Sequence, residues 1–178
     1  HCMELLRGQL DPDHPMIHSA NIVLGRSLAH QGKHEEAVSL LGDSIDILTE
    51  RLGKDNLQLI NIRGRYGRSL MAMGQLEKGE PYVNELIAVL ESLAGRMHHE
   101  PLYMRFEIIL SHFEHGDKDD AFRMMKSLLK ECRENLPKDS EVQARVHCEL
   151  GDMYRDIGDY EKATEIYEEA YKNAIEHL

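Results

Sequence analysis

Leu150-Gly-Asp-Met-Tyr-Arg-Asp-Ile-Gly-Asp-Tyr-Glu-Lys-Ala-Thr-Glu-Ile-Tyr-Glu-Glu-Ala170 sets two amphipathic helical patterns on either side of one glycine, Gly158. Leu150, Gly151 and Tyr154 share a face of the first pattern, and Ala163, Tyr167 and Ala170 share a face of the second. Small residues at Gly151 and Ala163 are expected to let the two backbones approach, with Tyr154 and Tyr167 filling the space beside them. Gly158 can take the left-handed conformation that ends one helix before the next begins. The stretch reads as a helical hairpin.

The hairpin recurs. Gly32, Gly74, Gly116 and Gly158 are spaced by 42 residues. Eight residues before them stand Leu24, Tyr66, Ile108 and Leu150, and seven before stand Gly25, Gly67, Ile109 and Gly151. Five after stand Ala37, Gly79, Ala121 and Ala163, and nine after stand Leu41, Val83, Met125 and Tyr167. Apolar and small residues held in phase over a fixed period mark a stacked repeat array.

The Leu-Gly pair, the residue three further on, the turn and the small and bulky positions after it resemble the tetratricopeptide repeat. The period of 42 exceeds the usual length of about 34, and this longer form is similar to the kinesin light chain type. Leu10-Asp-Pro-Asp-His-Pro15 resembles that family's linker between repeats, and Arg51-Leu-Gly-Lys-Asp-Asn56 is a looser copy. The resemblance implies an all-α, right-handed α-α superhelix: one array over residues 1–178, with four helical hairpins and a partial N-terminal helix. Repeats are expected at 14–53, 56–94, 98–135 and 139–178. Residues 1–10 align with 43–52 as the end of a truncated repeat, so the chain is expected to be a fragment of a longer protein. Pro81 lies past the first turn of the helix expected at 76–94, where it removes the bond to the Glu77 carbonyl. With Gly79 nearby, it predicts a kink or a late helix start, against a tolerated irregularity on the outer surface.

Composition bounds the function. The net charge of −11 argues against nucleic acid, whose phosphates need a basic face, and against anionic membrane surfaces. No apolar run approaches the roughly 18 residues of a spanning helix. Cys2, Cys132 and Cys148 have no paired metal spacing and fit reduced thiols in a cytoplasmic protein. His98-His99-Glu100 and the His112/His115 pair invite a metal reading, but one pair sits in a linker and His112 at a core position, so no metal or cofactor is expected. Gly42-Asp43-Ser44 falls within a helix and is no nucleophile elbow. Glu161, Glu165, Glu168 and Glu169 have the spacing of a solvated helical face. No nucleophile, base and orienting group converge, so the chain is expected not to be an enzyme.

The resemblance also implies a concave groove lined by the first helix of each pair, at thirteen, ten, six, three and two residues before the turn glycine. The candidate peptide-binding residues are Arg26, His30, Asn61, Arg68, Tyr103, Phe106, Leu110, Phe113 and Arg145 at these positions, with Arg65 adjacent. Phe106 and Phe113 have a second reading as packing against the neighbouring repeat. The chaperone-tail clamp of some tetratricopeptide domains uses Lys and Asn where this chain has Ile22, Arg26, Arg65, Tyr103 and Glu107. Kinesin light chains carry paired Asn where it has Ile22-Val23, Gly64-Arg65, Phe106-Glu107 and Cys148-Glu149. Neither ligand is supported. The expected function is a protein-interaction scaffold that takes a protein or peptide, acidic with apolar anchors. The alternatives are a regulatory segment of a multidomain signalling enzyme or transcription regulator, and self-association through terminal repeats.

Overall fold

The computed structural model describes residues 9–11 and 14–175. Among them stand eight α-helices and no strand: α1 (Pro15–His30), α2 (His34–Leu52), α3 (Leu57–Ala72), α4 (Leu76–Ala94), α5 (His99–His115), α6 (Lys118–Asn135), α7 (Glu141–Asp156) and α8 (Tyr160–Ile175). Of the partial helix expected over 1–10, Gln9 is helical and Leu10 is a bend, while residues 1–8 and the last residues of the final helix lie outside the described residues. The chain divides into two compact units, His1–Val89 and Leu90–Leu178, with the boundary inside α4.

Helix starts keep the period. The residues preceding α1, α3, α5 and α7 are His14, Asn56, His98 and Ser140, each 42 after the last. Asn56 Oδ1 accepts from the amides of Gln58 and Leu59 at 2.9 and 3.2 Å, and His14 Nδ1 accepts from Met16 at 3.2 Å. These side chains satisfy first-turn donors that have no partner within the helix. Pro15 then fills the first helical position, where its missing amide costs nothing.

Three of the four hairpin turns share one geometry. Gly32, Gly74 and Gly158 have φ of 76°, 76° and 82°. The next amide reaches back to Leu28, Leu70 and Tyr154 in turn, at 2.9, 3.0 and 2.9 Å, which is the Schellman closure. Gly116 departs from this: its φ is −121°. Helix α5 runs one residue further into the turn than its counterparts, and Asp117 caps α6 by accepting from Asp119 and Asp120. The third turn therefore closes without a left-handed residue.

The phased columns are buried except at Leu24, which is exposed, and at Tyr66 and Tyr167, which are half-buried, and the close approach varies among hairpins. At Gly67 a Cβ would lie 2.5 Å from the Gly79 carbonyl oxygen, so α3 and α4 meet backbone to backbone. At Gly151 a Cβ would meet the Tyr167 ring at 2.5 to 2.9 Å; the ring, not Ala163, is the nearest neighbour there. Tyr167 is pinned by donating its hydroxyl to Asp152 Oδ1 at 2.7 Å. In the third hairpin Ile109 and Met125 fill the same space with side chains. Helix α4 begins at Leu76 and runs through Pro81, so the expected late start does not occur. Pro81 and Glu77 are both exposed, which leaves the orphaned carbonyl on the solvated side.

A second column, eleven residues before each turn glycine, is polar: Asn21, Arg63, Arg105 and His147. Asn21 Nδ2 donates to Ser44 at 3.4 Å. Arg63 joins two hairpins, donating to Thr49 Oγ1 of α2 at 3.1 Å and pairing with Glu85 of α4 at 3.3 Å. Arg105 pairs with Glu131 of α6 at 2.5 Å. His147, with no exposed side-chain surface, lies 3.4 Å from Arg133 of α6 and 3.5 Å from Glu169 of α8, while its Nδ1 meets the Gln143 carbonyl at 2.8 Å. Polar groups withdrawn from water need partners, and each of these residues finds one on the second helix of its own hairpin, although Arg105 Nη1 is left without a hydrogen bond.

Candidate functional site

The candidate groove residues fall into two groups, one in each unit. In His1–Val89, Arg26 and Arg68 occupy the same repeat position on α1 and α3, which touch. Arg65 lies one turn before Arg68, its Nε donating to Asn61 Oδ1 at 3.2 Å. Burial, then the charges of Arg68 and Arg26, hold the Arg65 guanidinium below its ordinary range. His30 closes α1 at the surface, exposed. This group is a concentration of positive charge in an acidic chain.

In Leu90–Leu178, α5 and α7 enclose a pocket of about 450 Å³ lined by His99, Leu102, Tyr103, Phe106, Glu141, Val142 and Arg145. Leu102 and Phe106 are buried and form its apolar floor, and Tyr103 is exposed at 40%. The Arg145 guanidinium carbon stands 5.6 Å from the Tyr103 ring centroid and 5.9 Å from that of Phe106. A guanidinium stacked on ring faces keeps its in-plane N–H donors directed outward. The arrangement offers apolar contact below and a cation at the rim. Glu149, 3.9 Å from Arg145 Nε, holds the guanidinium loosely from the next turn.

Phe113 and Leu110 do not line this pocket. Phe113 is buried with its ring edge-on to Phe122 at 5.8 Å, and Leu110 is half-buried. The pocket also includes residues that the groove positions omitted: His99, Leu102, Glu141 and Val142. His99 and Glu141 stand seventeen residues before their turn glycines, one helical turn before the row holding Tyr103 and Arg145. Extending that row by four residues toward each helix N-terminus would have found them.

Among the described residues no three His, Cys, Asp or Glu side chains converge on a point that could hold a metal. The His98 and His99 rings lie against each other at a tilt of 43°, centroids 4.2 Å apart. Cys132 is buried, which pushes its thiol up, and Cys148 is exposed; both are unbridged. Cys2 lies outside the described residues. No helix among the described residues is long and apolar enough to cross a membrane.

Tetratricopeptide repeat family models match residues 16–92 and 144–174. No curated protein sequence matches the chain. Among solved structures, the fold is similar to a Podosopora anserina protein of nearly identical TPR-like repeats, assigned as a kinesin light chain. The TM-score is 0.76 at 18% identity, covering 99% of this chain and 83% of that one. A single-substitution variant of the same Podosopora anserina protein matches with a TM-score of 0.74 at 18% identity, covering 98% and 82%. BtubC (BKLC) from P. vanneervenii matches with a TM-score of 0.65 at 20% identity, covering 93% of this chain and 65% of that one. Helical hairpins at a period of 42, small residues in phase at the helix crossings and these matches agree: the chain belongs to the tetratricopeptide repeat family.

Proposed function

We propose that this chain is a non-catalytic scaffold whose first helices bind a peptide or helix of a partner protein, in the repeats at 14–53, 56–94, 98–135 and 139–178. The observation that carries the reading is the pocket between α5 and α7, where Arg145 lies over Tyr103 and Phe106 above an apolar floor. Such a pocket takes an apolar side chain, and its guanidinium takes a neighbouring carboxylate. The fitting partner carries Leu, Phe or Trp beside Asp or Glu. In the first unit, Arg65 and Arg68 offer charge contacts of their own to an acidic segment. A library of short acidic-apolar peptides, screened by fluorescence anisotropy, tests this. Tyr103→Ala should weaken the best binder without changing its salt dependence, and Arg65→Glu with Arg68→Glu should weaken it and flatten that dependence. Unchanged affinity in all three variants would refute the reading.

One observation favours self-association as a second role. Thirteen residues after each turn glycine, Ile45, Ile87 and Leu129 are 9%, 7% and 3% exposed, whereas Tyr171 is 67% exposed. Tyr171 and Ile175 stand one turn apart on α8 as exposed apolar residues. Sedimentation at rising concentration should show association that Tyr171→Glu abolishes.

A further inference from the structure

Arg26 and Arg65 are set apart from the other arginines by their surroundings. Arg63, Arg96, Arg105, Arg123, Arg133, Arg145 and Arg155 each lie within 4 Å of a carboxylate. Among the described residues no carboxylate pairs with Arg26 or Arg65. In a chain with 32 acidic and 21 basic residues, two guanidiniums without an acid on two neighbouring first helices is not what surface charge balance produces. The fold brings them near one another: α1 touches α3, Arg68 repeats the position of Arg26 on that helix, and Arg65 lies one turn from Arg68. Asn61 occupies one Arg65 donor, Nε, and so fixes the plane of the fork.

We infer that Arg26, Arg65 and Arg68 form a site for a phosphoryl dianion, carried by a phosphorylated side chain of the partner segment. The inference rests on the first-helix face being the binding face, and adds the chemistry of its ligand. A carboxylate has one charge and two oxygens, and one bidentate guanidinium satisfies it. A phosphomonoester carries about −1.5 to −2 charge at neutral pH and three terminal oxygens, so it can bridge guanidiniums from two helices. Burial first, and then the charges of Arg68 and Arg26, hold Arg65 below its ordinary range, and a dianion can meet more than one of these positive charges. Arg suits this better than Lys, because its planar fork matches phosphate oxygens in pairs.

Titrations at fixed ionic strength, followed through the arginine Nε–H resonances, test the inference. The probes are inorganic phosphate and blocked tripeptides Gly-phosphoserine-Gly and Gly-Glu-Gly. Arg26 and Arg65 should respond to phosphate and to the phosphoserine peptide, the latter binding about tenfold more tightly than the glutamate peptide. The Arg26→Gln, Arg65→Gln double variant, with unchanged circular dichroism, should lose the response, while Tyr103→Ala should keep it. The double change to Lys should retain weak binding without the preference for phosphoserine. Equal affinity for the glutamate and phosphoserine peptides would overturn the phosphoryl assignment and leave the acidic-peptide reading standing. A response to inorganic phosphate alone would overturn the partner-segment source. Equal shifts at Arg123 and Arg155 would reveal general charge screening and overturn the site.

Discussion

At the scale of single residues, two contacts show how locally the hairpins are specified. Gly151 exists to admit the Tyr167 ring, which Asp152 holds in place through the tyrosine hydroxyl. Gly151→Ala should therefore destabilise by roughly 1–3 kcal/mol through overpacking, as should Ala163→Leu at its buried position. Thermal melting checks both, and an unchanged Tm in either would remove that crossing from the account. Glu131 is the second case. Burial pushes its carboxyl up, but hydrogen bonds from Arg96 and Arg105, and their charges, more than offset this and hold it at about 2. A carboxyl depressed on folding adds stability above its unfolded value near 4.5, and that stability is lost as pH falls toward 2. Glu131→Gln should cost roughly 1.5–3 kcal/mol at neutral pH and progressively less below pH 4.5. Denaturant titrations across that window should show a flatter acid limb for the variant.

At the scale of elements, the four turn glycines look identical in sequence and are not identical in structure. Gly158 needs its left-handed backbone, so Gly158→Ala should cost about 1–2 kcal/mol. Gly116, at φ −121°, needs no left-handed backbone, and Gly116→Ala should cost less on that ground. Paired urea titrations decide this; equal losses would mean the third turn is built like the others. Helices and turns could be read from the chain because their determinants are local: a 3.6-residue apolar rhythm, a small residue at a crossing, a glycine at a break. The difference at Gly116 was not readable, because it depends on how Asp117 caps the next helix. The column of Asn21, Arg63, Arg105 and His147 was equally hidden, since an amide, two guanidiniums and an imidazole share no residue type and are related only by burial. Part of the pocket was readable for the opposite reason. Tyr103, Phe106 and Arg145 lie on rows that the family groove supplies, whereas His99 and Glu141 lie one turn beyond them.

At the scale of the whole chain, the joints between hairpins invite a test of specificity. Arg63 lies between Thr49 of the preceding helix and Glu85 of its own hairpin. His147 lies at the corresponding place between Arg133 and Glu169. The acid stays constant and the other two partners change together. Thr49→Arg should place one guanidinium against another and destabilise by roughly 1–3 kcal/mol, and adding Arg63→His should recover part of that loss by recreating the later joint. A double-mutant cycle measures the coupling directly, and simple additivity would show that the two positions are independent. The consequence reaches past stability. A hairpin copied from one place in the array into another would arrive carrying the wrong address: Arg63 behind Arg133 would meet a like charge, and His147 behind Thr49 would lose its guanidinium. Tandem duplication can lengthen such a chain, but each new unit must then change at this one buried position before it belongs where it stands, so the order of the hairpins is itself inherited information.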